Sequence, residues 1–277
     1  MYSKRILAFV ITYYPDVTLL KENLHSFSSA IDKVILWDNT PDGDATVKQI
    51  ALEDDKMIYM TQKENKGISY ALNIAWQEAC KNRFDYLLTM DQDSVWENFE
   101  LYLKTALSKD APKGIYGPEV RTNKFPYQVF EPVDYVITSG MLVPVDILNQ
   151  VKGYRTDFFV DGIDLEFCLR SKQNNICTYR LSHCRLRQRF GTPKTIALIG
   201  HHHTSNYSPI RIKEMLKTHI IILRDYPCSF SLKKKIIMTY FLKLPLKILF
   251  LESSKRSKFK SYFQGIWEGI QTLRVEI

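Results

Sequence analysis

Residues 86–96 read YLLTMDQDSVW, an apolar strand-like segment that runs into two aspartates, Asp91 and Asp93, with a serine behind them. Asp and Ser end strands and open turns or helices, so the stretch fits an ordinary strand terminus. Two carboxylates at a strand end equally fit a divalent cation held against the phosphates of a nucleotide. The segments upstream fix the kind of sheet that carries them: "ILAFVIT", a helical pattern ending near "LHSFSSA", "KVILWDN", a helix near "ATVKQIALE", "MIYMTQ", "GISYALNIAWQEAC" and then "YLLTMDQD". Strands that are apolar throughout and alternate with helices predict an α/β fold, a parallel sheet covered by helices on both faces. Ligands bind such sheets beyond the carboxyl ends of the strands. Thr12, Asp38, Asn65 and Asp91 all fall at or just after such ends.

From residue 114 the pieces shorten: "GIYGPEV", "YVITSGMLV", "DILNQVKGY", "DGIDLEFCLRSKQ" and a strand near "ICTYRL"; beyond about residue 208 the chain reads as basic and apolar helices. A chain of 277 residues, 45% hydrophobic and 25% charged, has the composition of a packed protein with one large domain and a smaller appendage. The boundary is expected near residue 210, with 1–210 as the main domain (halves 1–112 and 113–210) and 211–277 as a helical extension. Five scattered cysteines without a C-x-x-C pair suit a reducing cytoplasm. "ILAFVITYY" after Lys4 and Arg5 lacks a small-residue cleavage site and reads as a first buried strand, not a signal peptide.

Three further stretches carry candidate chemistry. In "FFVDGIDLEFCLR", residues 158–170, Asp161 with Asp164 three residues later suits a helix N-cap and its N3 carboxylate. The crowding of Asp157, Asp161, Asp164 and Glu166 also favours a member with a raised pKa, suited to a general base; Asp164 is the candidate. In "ENKGISYALNIA", residues 64–75, Asn65 and Gly67 suit an N-cap and a tight turn. In "WDNTPDGD", residues 37–44, Asp38 reads as part of a turn or as a partner of a base or ribose. His201, His202 and His203 cannot all face one ion from a regular element, so one at most is a ligand; solvated loop histidines are the other reading.

The net charge of +8 is not spread evenly: residues 211–277 alone carry fourteen Lys and Arg against five Asp and Glu. The rest of the chain is near neutral, which argues against a nucleic-acid footprint over the sheet. Lys243, Pro245 and Lys247 break the apolar runs of the tail below the ~18–20 residues a bilayer span needs. Lysines interleaved with Ile, Leu, Phe and Tyr suit helices lying in an anionic interface. A helix packed on the main domain with a solvated basic face is the alternative.

The ordered set "VITYYP", "LWDNTPDGD", "NKGISYALN", "LLTMDQDS", "TSGMLVP" and "FFVDGIDLEFCLR" resembles the family 2 inverting glycosyltransferases of GT-A fold, and among them the bacterial rhamnosyltransferases. The likeness spans about residues 5–175. It implies a Rossmann-like, mixed and mainly parallel sheet flanked by helices, and a membrane-associated enzyme moving rhamnose from dTDP-rhamnose onto a lipid-linked or growing surface polysaccharide. A UDP-hexose or UDP-N-acetylhexosamine donor is the alternative within the fold. By the same resemblance Thr12, Tyr14 and Asp38 would line the base and ribose pocket, while Asn65, Gly67 and Asn73 would shape the nucleotide-facing turn and helix. Asp91 and Asp93 would hold Mg2+ or Mn2+ with His203 as a substitute third ligand, Ser139 and Gly140 would border the sugar and acceptor, and Asp164 would be the catalytic base. Where the family carries H-x-x-G, this chain has "QRFG", Gln188 to Gly191. The expected setting is cytoplasmic, peripheral on the inner face of the membrane, with an anionic surface, a glycan or glycolipid acceptor and no nucleic acid as partners. From another class, a non-catalytic membrane or polyanion-binding protein also fits. A nucleotidyltransferase is disfavoured by the lack of a Gly-rich phosphate loop with a Lys after the first strand.

Overall fold

The computed structural model describes residues 4–120, 128–188, 194–196, 200–202 and 206–272. In chain order the first elements are β1 (Ile6–Thr12), α1 (Val17–His25), β2 (Lys33–Asp38), α2 (Ala45–Leu52), β3 (Met57–Thr61), α3 (Ile68–Lys81), β4 (Tyr86–Asp91), β5 (Ser94–Trp96) and α4 (Phe99–Ala106). Then come β6 (Gly114–Glu119), β7 (Phe130–Pro132), β8 (Met141–Pro144), α5 (Val145–Val151), α6 (Ile163–Gln173) and β9 (Cys177–Gln188). The remainder is β10 (Lys194–Ile196), β11 (Gly200–His202), α7 (Pro209–Asp225), α8 (Phe230–Ile236), a π-helical turn (Ile237–Lys243), α9 (Leu244–Leu251) and α10 (Lys255–Gln271). Contacts divide the chain into two compact units, residues 1–159 with 163–188, and residues 160–162 with 189–277.

The first unit is built on a nine-stranded sheet ordered β3-β2-β1-β4-β8-β6-β9-β5, with β7 also on β9. β1 is parallel to both β2 and β4, and β2 to β3, whereas β8 runs antiparallel to β4. All seven residues of β1 are buried, as a central strand requires, while β3 at the edge is only partly covered. The chain leaves β1 toward β2 and β3 on one side and returns to β4 on the other. A crevice therefore opens at the carboxyl ends of β1 and β4, the switch point where doubly wound sheets take their ligands. The core beneath it holds Val10, Leu36, Leu88, Met90, Trp96, Phe99 and Tyr102, each apolar side chain contributing about 1.5–3 kcal/mol by burial.

The strand expected near "ICTYRL" continues to Gln188. His183 takes a left-handed φ of 63°, and the pairing of β6 with β9 shifts register there. Such a bulge bends the strand, so its first half pairs with β6 and its last residues with β5, Gln188 opposite Ser94.

In the second unit α10 lies against α7 at glycine contacts. A Cβ on Gly265 would collide with the Lys213 carbonyl, and one on Gly269 would come within 2.9 Å of Ile220 Cβ. Ile212, Leu216, Leu244, Ile248 and Tyr262 form its core. His219 is buried against Tyr240, its Nδ1 2.8 Å from the Met215 carbonyl. Burial lowers its pKa to about 4 from the ordinary 6.5. The native state thus refuses a proton that the unfolded chain accepts below pH 6.5, and stability drains as pH falls from 6.5 toward 4, by about 3 kcal/mol at the end of that window. Urea unfolding at pH 7.5 and 4.5 checks this: His219→Gln is expected to lose distinctly less stability between the two than the unsubstituted chain. Equal losses would contradict it.

Candidate functional site at the carboxyl edge of the sheet

Thr12, Asp38 and Asp91 are the last residues of β1, β2 and β4, and the register sets Thr12 beside Asp38 and Ile11 beside Asp91. Their side chains do different work. Asp38 is wholly buried, and its carboxylate accepts from the Thr40 and Asp44 amides, from the Tyr59 hydroxyl and from Thr12 Oγ1. This carboxylate organises the turn through Asp42 and Gly43, with φ of 65° and 82°, and pushes the Tyr59 hydroxyl up to about 12 after burial has begun the shift. Asp38 and Thr12 are thereby satisfied inside the protein. Tyr14, in contrast, is 62% exposed with φ 45°, its ring edge-on to Tyr13 and its amide donating to Thr40 Oγ1.

Asn65 and Gly67 follow β3. The Asn65 side chain accepts from the Gly67 amide, an Asx turn, and the N-cap of α3 is Gly67 itself. Its φ of 83° and the Phe159 ring and carbonyl, each 2.7 Å from where a Cβ would stand, leave room for glycine alone. The Ile68 amide donates to that Phe159 carbonyl at 2.8 Å, so the segment leading into α6 meets the same edge of the sheet. Asn73, one turn into α3, spends both amide atoms on the Tyr154 backbone and acts as a clamp within the scaffold.

The turn Asp91-Gln92-Asp93 is held from four separate directions. Asn23 of α1 donates to the Asp91 and Ser94 carbonyls, and the Asp91 amide donates to Ser139 Oγ, which in turn donates to Ser94 Oγ at 2.7 Å. Gln92 exchanges two hydrogen bonds with the Tyr13 backbone, tying the loop after β1 to the turn after β4 across the switch point. Gln188 Nε2 donates to Asp91 Oδ2 at 2.7 Å. Asp91 and Asp93 are themselves half-buried. Ser139, expected beside the sugar, is wholly buried and belongs to the support of the turn; Gly140, at φ 82°, is packed against Pro118 and Trp96 with its carbonyl taken by the Tyr102 hydroxyl. The sequence reading missed Asn23, Gln92 and Ser94. Asn23 carried a signal, a polar residue between Leu20 and Leu24 on the apolar face of α1.

The acids of residues 157–166 separate. Asp157 pairs with Arg155, Glu166 with Arg170 and Asp161 with Arg211, each through two hydrogen bonds. The expected N-cap role of Asp161 is not what forms: it sits at φ 60° before Gly162 at φ 74°, engaged with Arg211, and α6 starts at Ile163. A guanidinium fork satisfies both carboxylate oxygens at once, which a single helix amide cannot. Asp164 lies half-buried in the first turn of α6, accepting from the Leu165 amide.

Two carboxylates at half-buried positions are a hard-oxygen donor set of the kind Mg2+ or Mn2+ takes when phosphate and water complete the shell. Gln188, whose Nε2 donates to Asp91, has its Oε1 buried without a hydrogen-bond partner among the described residues. The set fits such an ion. Among the described residues no group of three or more His, Cys, Asp and Glu gathers as a metal cluster. His203 lies outside the described residues.

Residues 8–123 match the model of "Glycosyl transferase family 2". The dTDP-rhamnosyl transferase RfbF of Shigella flexneri is 20% identical over 296 aligned residues, covering 97% of this chain and 96% of that protein. Among solved structures, S. aureus TarS 1–349 superposes with TM-score 0.59 at 12% identity, covering 96% of this chain and 81% of that one. GalNAc-T7, crystallised with UDP, GalNAc and Mn2+, gives 0.62 at 11% identity over 96% of this chain and 56% of its own. Residues 8–123 thus match the model of that family, and the mixed, mostly parallel sheet flanked by helices is the GT-A-like fold of these structures.

Proposed function

We propose that the chain is an inverting, cation-dependent glycosyltransferase that moves L-rhamnose from dTDP-rhamnose onto a hydroxyl of a lipid-linked or growing surface glycan. The observation that carries this reading is the Asp91-Gln92-Asp93 turn, braced at the switch point of the sheet by Asn23, Tyr13, Ser139 and Gln188. Rigid bracing suits a site that must hold a diphosphate in one orientation. The likeness to a dTDP-rhamnosyl transferase supports the rhamnosyl donor; UDP-sugars are the second reading, because TarS has been crystallised with UDP-GlcNAc on the same fold.

Asp91 and Asp93 would hold Mg2+ or Mn2+, which when bound supplies positive charge to the leaving diphosphate. Tyr14, exposed beside the switch point, offers a face for the nucleotide. Asp164 takes the proton of the acceptor hydroxyl as that oxygen bonds to the anomeric carbon. The bond from that carbon to the diphosphate breaks on the opposite side, so the configuration inverts. No carboxylic acid need protonate the leaving group, in contrast to glycoside hydrolysis.

The second unit supports a membrane partner, the domain role expected for residues 211–277. Among the described residues no helix is long and apolar enough to cross a membrane. Leu246, Leu249 and Phe250 of α9 and Phe263, Trp267 and Ile270 of α10 nonetheless stand 44–64% exposed, among Lys243, Lys247, Lys255 and Arg256. Exposed apolar side chains with lysines and an arginine close to them in sequence suit the headgroup layer of an anionic bilayer, and a lipid-linked acceptor would be met there. One assay tests both parts: each donor is incubated with acceptor-bearing vesicles containing or lacking phosphatidylglycerol, and nucleoside diphosphate release is followed. Release from dTDP-rhamnose, faster on anionic vesicles, is expected. Release from a UDP-sugar alone would replace the donor, and indifference to lipid charge would remove the membrane partner.

A further inference from the structure

We propose that Gln188 is a ligand of the cation site, its side-chain carbonyl adding a neutral oxygen to the carboxylates of Asp91 and Asp93. This rests on the nucleotide-sugar reading above and gives a ligand's role to a residue which that reading uses only as a brace. Gln188 ends β9 opposite Ser94, the residue after Asp93, because the bulge at His183 bends the strand toward the turn. Its Nε2 donates to Asp91 Oδ2 at 2.7 Å, so the amide already touches one carboxylate of the pair. Its Oε1 is buried and has no hydrogen-bond partner among the described residues. A buried amide oxygen whose lone pairs meet no donor costs free energy until something binds it. A cation at the adjacent carboxylates is the species that would do so.

Charge supports a neutral donor here. Two carboxylates balance one divalent ion, and the diphosphate then brings the excess negative charge. A third carboxylate would add repulsion against the nucleotide, whereas an amide oxygen adds none. An all-oxygen set also suits Mg2+ as well as Mn2+, while a ring nitrogen in its place would favour the later transition metals. Gln188 thus makes the site one that magnesium can serve.

The test is Mn2+ uptake, read by loss of the free-ion electron paramagnetic resonance signal, on the full chain with saturating UDP or dTDP. It is run for the unsubstituted chain, Gln188→Ala, Gln188→Glu and Gln188→His, with unfolding midpoints in metal-free buffer as the folding control. Gln188→Ala is expected to weaken Mn2+ binding about 10- to 100-fold. Gln188→Glu should tighten Mn2+ while lowering the metal-free midpoint, since a third carboxylate beside Asp91 repels it until the ion arrives. Gln188→His should keep Mn2+ but let Mg2+ displace it several-fold less well. Unchanged Mn2+ affinity in Gln188→Ala overturns the assignment. So does weaker binding in both Ala and Glu variants, which would mean that the amide only orients Asp91. If Gln188→Ala does not fold, the signs for Glu and His decide. No Mn2+ uptake by the unsubstituted chain with either nucleotide would sink the nucleotide-sugar reading, and this inference with it.

Discussion

Asp164→Asn is expected to slow sugar transfer by about 10²–10⁴-fold, the usual contribution of a positioned general base, while leaving donor affinity within about twofold. The substitution keeps shape and keeps an oxygen for the Leu165 amide. The small helix-dipole preference for a carboxylate in the first turn of α6, about 0.3–1 kcal/mol, is lost with the charge. What disappears is the capacity to take the acceptor's proton. Asp157→Asn is the control, because that carboxylate is engaged with Arg155. It should lower the unfolding midpoint with little change in rate. Steady-state transfer with donor binding measured separately checks the pair. A normal rate in Asp164→Asn would assign the proton to another group.

Asp93→Asn should act on binding as well as rate. Removing one of two carboxylate charges from the cation site is expected to weaken Mn2+-dependent binding of the nucleoside diphosphate about 10- to 100-fold. Binding in EDTA should stay as weak as in the unsubstituted protein. The two variants thus separate: Asp164→Asn spares donor binding and stops chemistry, whereas Asp93→Asn loses both. Titration calorimetry on each, with Mn2+ and with EDTA, tells them apart. Equal donor affinity in Asp93→Asn and the unsubstituted chain, both in Mn2+, would contradict the role given to this turn.

The parallel half of the sheet was legible because β1, β2 and β4 are apolar at nearly every position, a pattern that only strands buried on both faces produce. Strand ends were legible for the same reason: the apolar run stops where the backbone reaches solvent, at Thr12, Asp38 and Asp91. What those polar residues do there was not legible. Asp38 and Asp91 stand at equivalent strand ends, yet Asp38 is saturated by four donors of its own chain while Asp91 shares a half-buried turn with Asp93. The difference lies in Tyr59, Thr40 and Gln188, partners brought in by other segments. The bulge at His183 was likewise invisible, because one left-handed residue reverses the facing of its successors without altering composition. The arginine partners that separate Asp157, Asp161 and Glu166 lie from two to fifty positions away. Crowding in sequence therefore suggested a carboxylate cluster that arginine pairing takes apart.

The measurement that bears most directly on the central claim is isothermal titration of the full chain with dTDP-rhamnose and with UDP-glucose, UDP-galactose and UDP-GlcNAc, each in Mn2+ and in EDTA. Heat from dTDP-rhamnose binding in Mn2+, lost in EDTA and in Asp93→Asn but kept in Asp164→Asn, is the predicted result. Binding of no nucleotide sugar under any of these conditions would contradict it.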